Sequence, residues 1–201
     1  MKQMLRELQT QRWDDHRYYH HSRINQSLHF VSASSFLCAY VLVFFQPVLA
    51  TLVGWLIAMT ARQSGHFFFE PKGYDHVNQA THEHKEAIKV GYNLRRKILL
   101  YVAFAIAPLP LLVDPTYFGL FADEKALVHN VAMVWLALGG LGLLFRGVHL
   151  FFLRDVQTGV VWMLKILTDP FNDFKLYWKA PLALMRGELI DQSLALEVQQ
   201  R

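Results

Sequence analysis

Two stretches of this chain carry residue types that bind metals. The first is His20-His21-Ser22-Arg23-Ile24-Asn25-Gln26-Ser27-Leu28-His29, the second Gly65-His66-Phe67-Phe68-Phe69-Glu70. Each sits where a polar segment meets a long apolar run. Imidazole nitrogen is the commonest protein ligand for Zn, Fe and Cu. Polar side chains at the end of an apolar span are costly unless paired or put to use. On a helix, residues four apart share a face, so His21, Asn25 and His29 form one stripe and Arg62, His66 and Glu70 another. Two facing stripes of histidine and carboxylate are the general plan of a metal site in a helical bundle. There is a geometric objection: His21 and His29 would stand about 12 Å apart on a straight helix. Either the helix bends near Ser22-Arg23, or there are two metals, or one histidine only supports another through hydrogen bonds.

The segment after the second stretch adds His76, His82 and His84. On a helix His82 and His84 point to nearly opposite sides, so at most one faces a site. His82 shares a face with Glu86 and Lys89 and is the expected one. The expected metal ligands are therefore His20, His21, His29, His66 and His82, with His76 and His84 behind them. Asn25 either hydrogen-bonds a ligand or caps a helix. Glu70 is a ligand, an acceptor for a histidine N–H, or the ion-pair partner of Arg62. Asn25, Arg62 and Glu70 are the candidate catalytic residues. The plainer alternative is that interfacial histidines are hydrated, with His20-His21 on lipid headgroups. His149, one turn after Arg146, is expected to pair with a lipid phosphate or a carboxylate.

The elements that must hold these groups are apolar. The chain is 53% hydrophobic and only 18% charged, against about 25% charged in a soluble domain. The deficit comes from four nearly charge-free runs, which reads as a membrane protein. They are Leu28–Phe45, Val48–Phe69, Ile98–Val113 and Ala126–Leu153. The turn Gln46-Pro47 makes the first two a hairpin, and Pro108 and Pro110 kink or end the third. Gly139, Gly140 and Gly142 in the fourth would allow close helix contact. The predicted fold is an all-α integral membrane helical bundle of about four transmembrane helices plus cytoplasmic amphipathic helices. Residues 1–153 form the bundle; residues 154–201 form surface helices broken at Asp169-Pro170 and Ala180-Pro181.

Loop charges orient it. Lysine and arginine cluster before the first run, between the second and third, and in the tail. The Gln46-Pro47 turn has none, and the Asp114–Lys125 loop only Lys125. The positive-inside rule then places both termini in the cytoplasm, of a bacterial inner membrane or an endoplasmic reticulum. All histidines except His129 fall on that side and can converge. The net charge of +4 does not point to nucleic acid, because the basic residues flank apolar runs instead of forming one surface. The lone Cys38 excludes an internal disulfide.

Taken together, Tyr19-His20-His21…Asn25…His29 and Gly65-His66-Phe67-Phe68-Phe69-Glu70 resemble the motifs of the membrane 2-hydroxy fatty acid dioxygenases of fatty acid α-oxidation. The short-turn hairpin matches as well, and the resemblance covers about residues 15–70. It departs after Glu70, where Pro71-Lys72-Gly73 replaces the family's Gly-Arg-Arg-Pro-like segment. What the resemblance implies is an Fe(II) site that uses O₂ on a 2-hydroxyacyl head and shortens the chain by one carbon. The acyl tail would lie among Phe67, Phe68 and Phe69. Its carboxylate would sit near Arg62 or the lysines and arginines of residues 71–97. The implied partners are a fatty acyl lipid and O₂, with self-association left open. Two other readings compete. One is a di-iron membrane hydroxylase or desaturase, although its tight histidine boxes are absent. The other is a non-catalytic lipid-binding scaffold, which would hold no metal.

Overall fold

The computed structural model describes residues 2–122 and 126–199. Asp123, Glu124 and Lys125, which close the expected outer loop, lie outside the described residues. The fold is all-helical, with no strand among those residues. Helix α1 spans Lys2–Tyr19 and α2 spans Arg23–Leu42. After the turn at Gln46, α3 (Pro47–Leu52), a π-helical stretch (Val53–Met59) and α4 (Thr60–Phe68) follow without interruption. Helix α5 (His82–Ile88) and α6 (Leu94–Ile106) lead to a 3₁₀ turn at Leu109–Leu112. Helices α7 (Leu127–Leu153), α8 (Val156–Tyr177), α9 (Ala180–Met185) and α10 (Gln192–Gln199) complete the order.

Helix α2 is the centre. It packs against α8 on one side and the π-helical stretch and α4 on the other. Its inward face is polar at the start and small further on: Asn25, Gln26, His29, Ser32 and Ala33 are all buried. Helix α8 also packs on α1 and α7, so the segment after residue 153 is wedged among three helices of the bundle. Close approach of α7 to α8 runs through Gly147 and Gly159, where any Cβ would collide with Met163 or with Phe151 and the Gly147 carbonyl. The glycines expected for this task do less: Gly139 and Gly140 face open space, and only Gly142 meets a neighbour, Phe104.

One helix, Leu127–Leu153, is long and apolar enough to cross a membrane. The other three expected spans do not meet that measure among the described residues, for separate physical reasons. Helix α6 stops before Pro108 after 13 residues, about 20 Å of helix against about 30 Å of hydrocarbon. Helix α2 has the length, but its buried face carries amide, imidazole and hydroxyl groups. The second limb runs on unbroken through its π-helical turns, but its last turns carry Arg62, Gln63, Ser64 and His66. A further correction concerns Asp169-Pro170, expected to break the tail. Helix α8 runs through it to Tyr177. An interior proline costs roughly 3 kcal/mol. Against that stand the burial of Pro170 and the Phe30–Phe174 and Tyr40–Phe171 contacts. The ion pairs that Lys165, Asp169 and Asp173 make with α1 and α4 add to them. At Ala180-Pro181 a new helix does begin, with proline in its first turn.

Candidate metal centre

Helical structure is interrupted for three residues, His20, His21 and Ser22, between α1 and α2. Ser22 caps α2 by accepting from the Asn25 amide. The last carbonyls before the break are taken up by α2 itself: Asn25 Nδ2 donates to the Tyr19 carbonyl at 2.8 Å and Gln26 Nε2 to the His20 carbonyl at 2.8 Å. Residues 189–191 clamp the corner from outside. The Arg23 amide donates to the Leu189 carbonyl, and the Asp191 amide to the His21 carbonyl. The corner folds His20 back over α2 onto His29. From the facing limb His66 completes the group, and one ring nitrogen of each of His20, His29 and His66 lies within 4.8 Å of those of the other two. All three are buried, His29 fully. Gly65 makes the approach possible: a Cβ there would run into Asn25 Oδ1 and press on the His29 ring.

The hydrogen bonds fix the tautomers. His20 Nδ1 sits 2.7 Å from the Asp15 carbonyl. His66 Nδ1 is 2.7 Å from Glu70 Oε2, and His29 Nδ1 is 3.4 Å from Asp173 Oδ2. Carbonyls and carboxylates only accept, so each Nδ1 carries the hydrogen and each Nε2 keeps its lone pair. His20 Nε2 and His29 Nε2 nevertheless stand 3.1 Å apart. Two lone pairs at that distance repel. Moving a hydrogen to either Nε2 turns the matching Nδ1 lone pair onto a carbonyl or a carboxylate, which is no better. Protonation is also opposed: burial pushes the His20 pKa well below the usual imidazole value, and His29 pushes it further. A cation shared among the three Nε2 atoms removes the conflict. Imidazoles whose other N–H is held by a carboxylate or carbonyl are the usual ligands of bound metals. The residues therefore fit a metal ion with three neutral nitrogen donors.

Around the histidines lies a buried polar network that periodicity in α8 sets up. Lys165, Asp169, Asp173 and Tyr177 recur every fourth residue and share one face. Arg62 bridges Asp173 at 2.8 Å and Asp169 at 3.6 Å. Lys165 pairs with Asp169 at 2.7 Å and with Asp15, whose carbonyl holds His20. Arg12 reaches Asp169 at 3.3 Å. Three cations face three carboxylates, so the network carries no net charge into the interior. Burial works against the ionised Asp15 carboxylate, but Lys165 outweighs it and holds the pKa below the usual range. The Tyr177 ring lies 5.5 Å from His20 and 6.1 Å from His29, centroid to centroid. Its hydroxyl shares a hydrogen bond with His16 Nδ1 at 3.1 Å. On the other flank Lys89 joins Glu70 at 3.3 Å to Glu86 at 3.1 Å, and lies 3.5 Å over the Tyr19 ring.

Of the expected ligands, His20, His29 and His66 come together and four others do not. His21 turns away at the corner, its Nε2 against the Arg17 carbonyl and 3.4 Å from Asp75. His82 and His84 lie on α5 and His76 stacks on Tyr74, all outside the cluster. The objection about His21 and His29 is thus met by the break, which exchanges His21 for its neighbour. Glu70 holds His66 and pairs with Lys89, not with Arg62. Arg62 is engaged by Asp169 and Asp173. Asn25 secures the corner, while its Oδ1 is buried without a partner. Sequence reasoning missed Asp173, Tyr177 and the Asp15 carbonyl. The four-residue repeat of polar groups in an otherwise apolar helix is the signal that would have found the first two. The chain matches no protein-family model, no curated protein and no solved structure.

Proposed function

We propose that the chain is an iron-dependent oxygenase of a membrane acyl lipid, with His20, His29 and His66 holding one ferrous ion. The observation that carries this reading is the convergence of three buried imidazoles, one ring nitrogen of each within 4.8 Å of the others, whose Nδ1 atoms are already committed to acceptors. Neutral imidazoles leave the ion its full charge and open positions, and ferrous iron in such a setting supplies O₂ activation. The described residues hold a single three-histidine group, which favours one ion over a di-iron centre. Iron over zinc, and a 2-hydroxy fatty acid as substrate, rest on the motif resemblance.

The protein's own contribution is positioning. Glu70 and Asp173 orient His66 and His29, and Arg62 orients Asp173 instead of offering a free cation to a substrate. Tyr177 and Asn25 wall the cluster off from water. Phe68 and Phe69, exposed just beyond His66, present an apolar track for an acyl chain. The membrane reading draws on α7 and on large exposed apolar residues such as Phe44, Phe45, Val113 and Phe118. We place the two termini and the histidine cluster on the cytoplasmic side, in line with the lysine and arginine distribution.

The test is metal content and O₂ uptake of the full chain in detergent micelles, loaded anaerobically with Fe(II). One bound iron per chain and O₂ consumption that requires a 2-hydroxy fatty acid are expected. A folded protein that binds no divalent metal would end the reading and leave the lipid-binding scaffold. One bound metal without O₂ uptake would keep the site and reject the oxygenase.

A further inference from the structure

A second polar concavity lies away from the three histidines, where the 86–96 segment crosses the last turns of α7. It is a cavity of about 160 Å³ whose walls include Lys89, Arg96, Arg146 and Arg154, with Leu150 and Leu153 on the apolar side. Its one carboxylate, Glu86, is spent on Lys89 and on the Leu94 amide. Arg146 is the unusual member. It is only 4% exposed, yet among the described residues no carboxylate pairs with it. Its NH2 group donates to the carbonyls of Val90 (2.7 Å) and Gly91 (3.2 Å), NH1 lies 3.2 Å from His149 Nδ1, and Nε has no partner. Buried charges are ordinarily paired. Arg96 and Arg154, both exposed, also lack a carboxylate partner among the described residues. Three guanidinium groups thus line one cavity whose single carboxylate is engaged elsewhere, and planar guanidinium forks match phosphate oxygens two at a time.

Position narrows the ligand. Arg146 and Arg154 bracket the end of the one helix long enough to cross a membrane. The neighbouring face of that helix is bare and apolar, with Leu144, Phe145, Val148 and Phe152 exposed. A cationic pocket at the end of an apolar wall suits an amphiphile with an anionic head. We infer that this cavity holds the phosphate of an anionic lipid headgroup, with the acyl chains along α7. The shared chemistry is a phosphate oxyanion, which free inorganic phosphate could also supply. The inference uses the place of α7 at an interface and makes no use of the metal.

The experiment uses the full chain in nonionic micelles doped with phosphatidic acid, micelles doped with phosphatidylcholine, and inorganic phosphate alone. Binding is followed by tryptophan fluorescence, because Trp162 lies beside Gly91 at the cavity's edge. Saturable binding is expected for phosphatidic acid only. Arg96→Gln and Arg154→Gln, both at exposed positions, should each weaken it about tenfold, the size of one lost charge-assisted hydrogen bond. Arg186→Gln removes an equal charge elsewhere and should change nothing. Arg146→Lys, which keeps the charge but loses the fork, should weaken binding even where Arg146→Gln fails to fold. Metal content should stay constant in Arg96→Gln and Arg154→Gln, which separates this site from the histidine cluster. Equal affinity for inorganic phosphate overturns the lipid assignment. Equal losses in Arg186→Gln, or none in Arg96→Gln and Arg154→Gln, overturn the site.

Discussion

Glu70→Gln isolates the contribution of one buried carboxylate to the proposed metal centre. The change keeps the shape and an acceptor oxygen, and removes the negative charge that faces His66 Nδ1 at 2.7 Å. Both side chains are nearly sealed from water, with Glu70 4% and His66 5% exposed, so solvent does little to screen the pair. A charge-assisted bond of that length is strong. Lys89 keeps Glu86 at 3.1 Å, and the fold should survive. Losing the anionic partner of a ligating imidazole costs on the order of 10–100-fold in metal affinity. The same logic sets a ranking. His29 Nδ1 meets Asp173 at 3.4 Å, near the limit of useful geometry. Asp173→Asn should therefore weaken the metal less than Glu70→Gln, toward the tenfold end. The assay is an anaerobic competition between protein and a chelator of known affinity, with Co(II) absorption reporting occupancy. A folded Glu70→Gln protein with unchanged affinity would refute the tautomer argument. A larger loss in Asp173→Asn than in Glu70→Gln would refute the ranking by distance.

Three further outcomes are expected. His29→Ala and His66→Ala should abolish stoichiometric metal, whereas His21→Ala, His82→Ala and His129→Ala should retain it; metal analysis of the five purified proteins decides the ligand set. Gly65→Ala should destabilise the fold by roughly 1–3 kcal/mol through overpacking against Asn25, read from denaturant midpoints, with wild-type stability as the contrary result. Burial pushes His16 down to about 4, partly offset by Asp191. Unfolded, the same group titrates near 6.5, so between these values the unfolded chain binds more protons. Stability should then fall by about 3 kcal/mol as pH drops from about 6.5 to about 4 and not respond to His16 above that window. Unfolding midpoints against pH test it: the slope should lessen in His16→Gln but not vanish, because burial also pushes His20, His29 and His66 down.

Much of this was legible in the sequence because it depends on local spacing. The his-rich corner, the hairpin with its proline turn, the Gly65-His66-Glu70 segment and the end of α6 before Pro108 follow from neighbours along the chain. What was not legible depends on partners far apart. Nothing local says that His20 and not His21 turns inward. That choice is made by Asn25 and Gln26 reaching back to two carbonyls and by residues 189–191 closing the corner. Nor does a proline rule foresee that α8 passes through Pro170, because the groups that hold it sit on α1, α2 and α4. Apolar runs alone did not set α7 apart from the other three expected spans, yet among the described helices it is the one long and apolar enough to cross a membrane.

The candidate metal centre draws its parts from both ends of the chain, and that has a consequence for biogenesis. The three histidines have all been synthesised once residue 66 has been added, but the acceptor for His29 is made more than a hundred residues later, on α8. The strap over the corner comes later still, at residues 189–191. A nascent chain halted before Asp173 carries every ligand and lacks the side that closes over them. Metal capture should therefore be a late event in synthesis, coupled to the docking of α8 against α2. Stalled chains of increasing length, released into a solution of labelled metal, should acquire it abruptly once α8 is complete, instead of gradually as histidines accumulate.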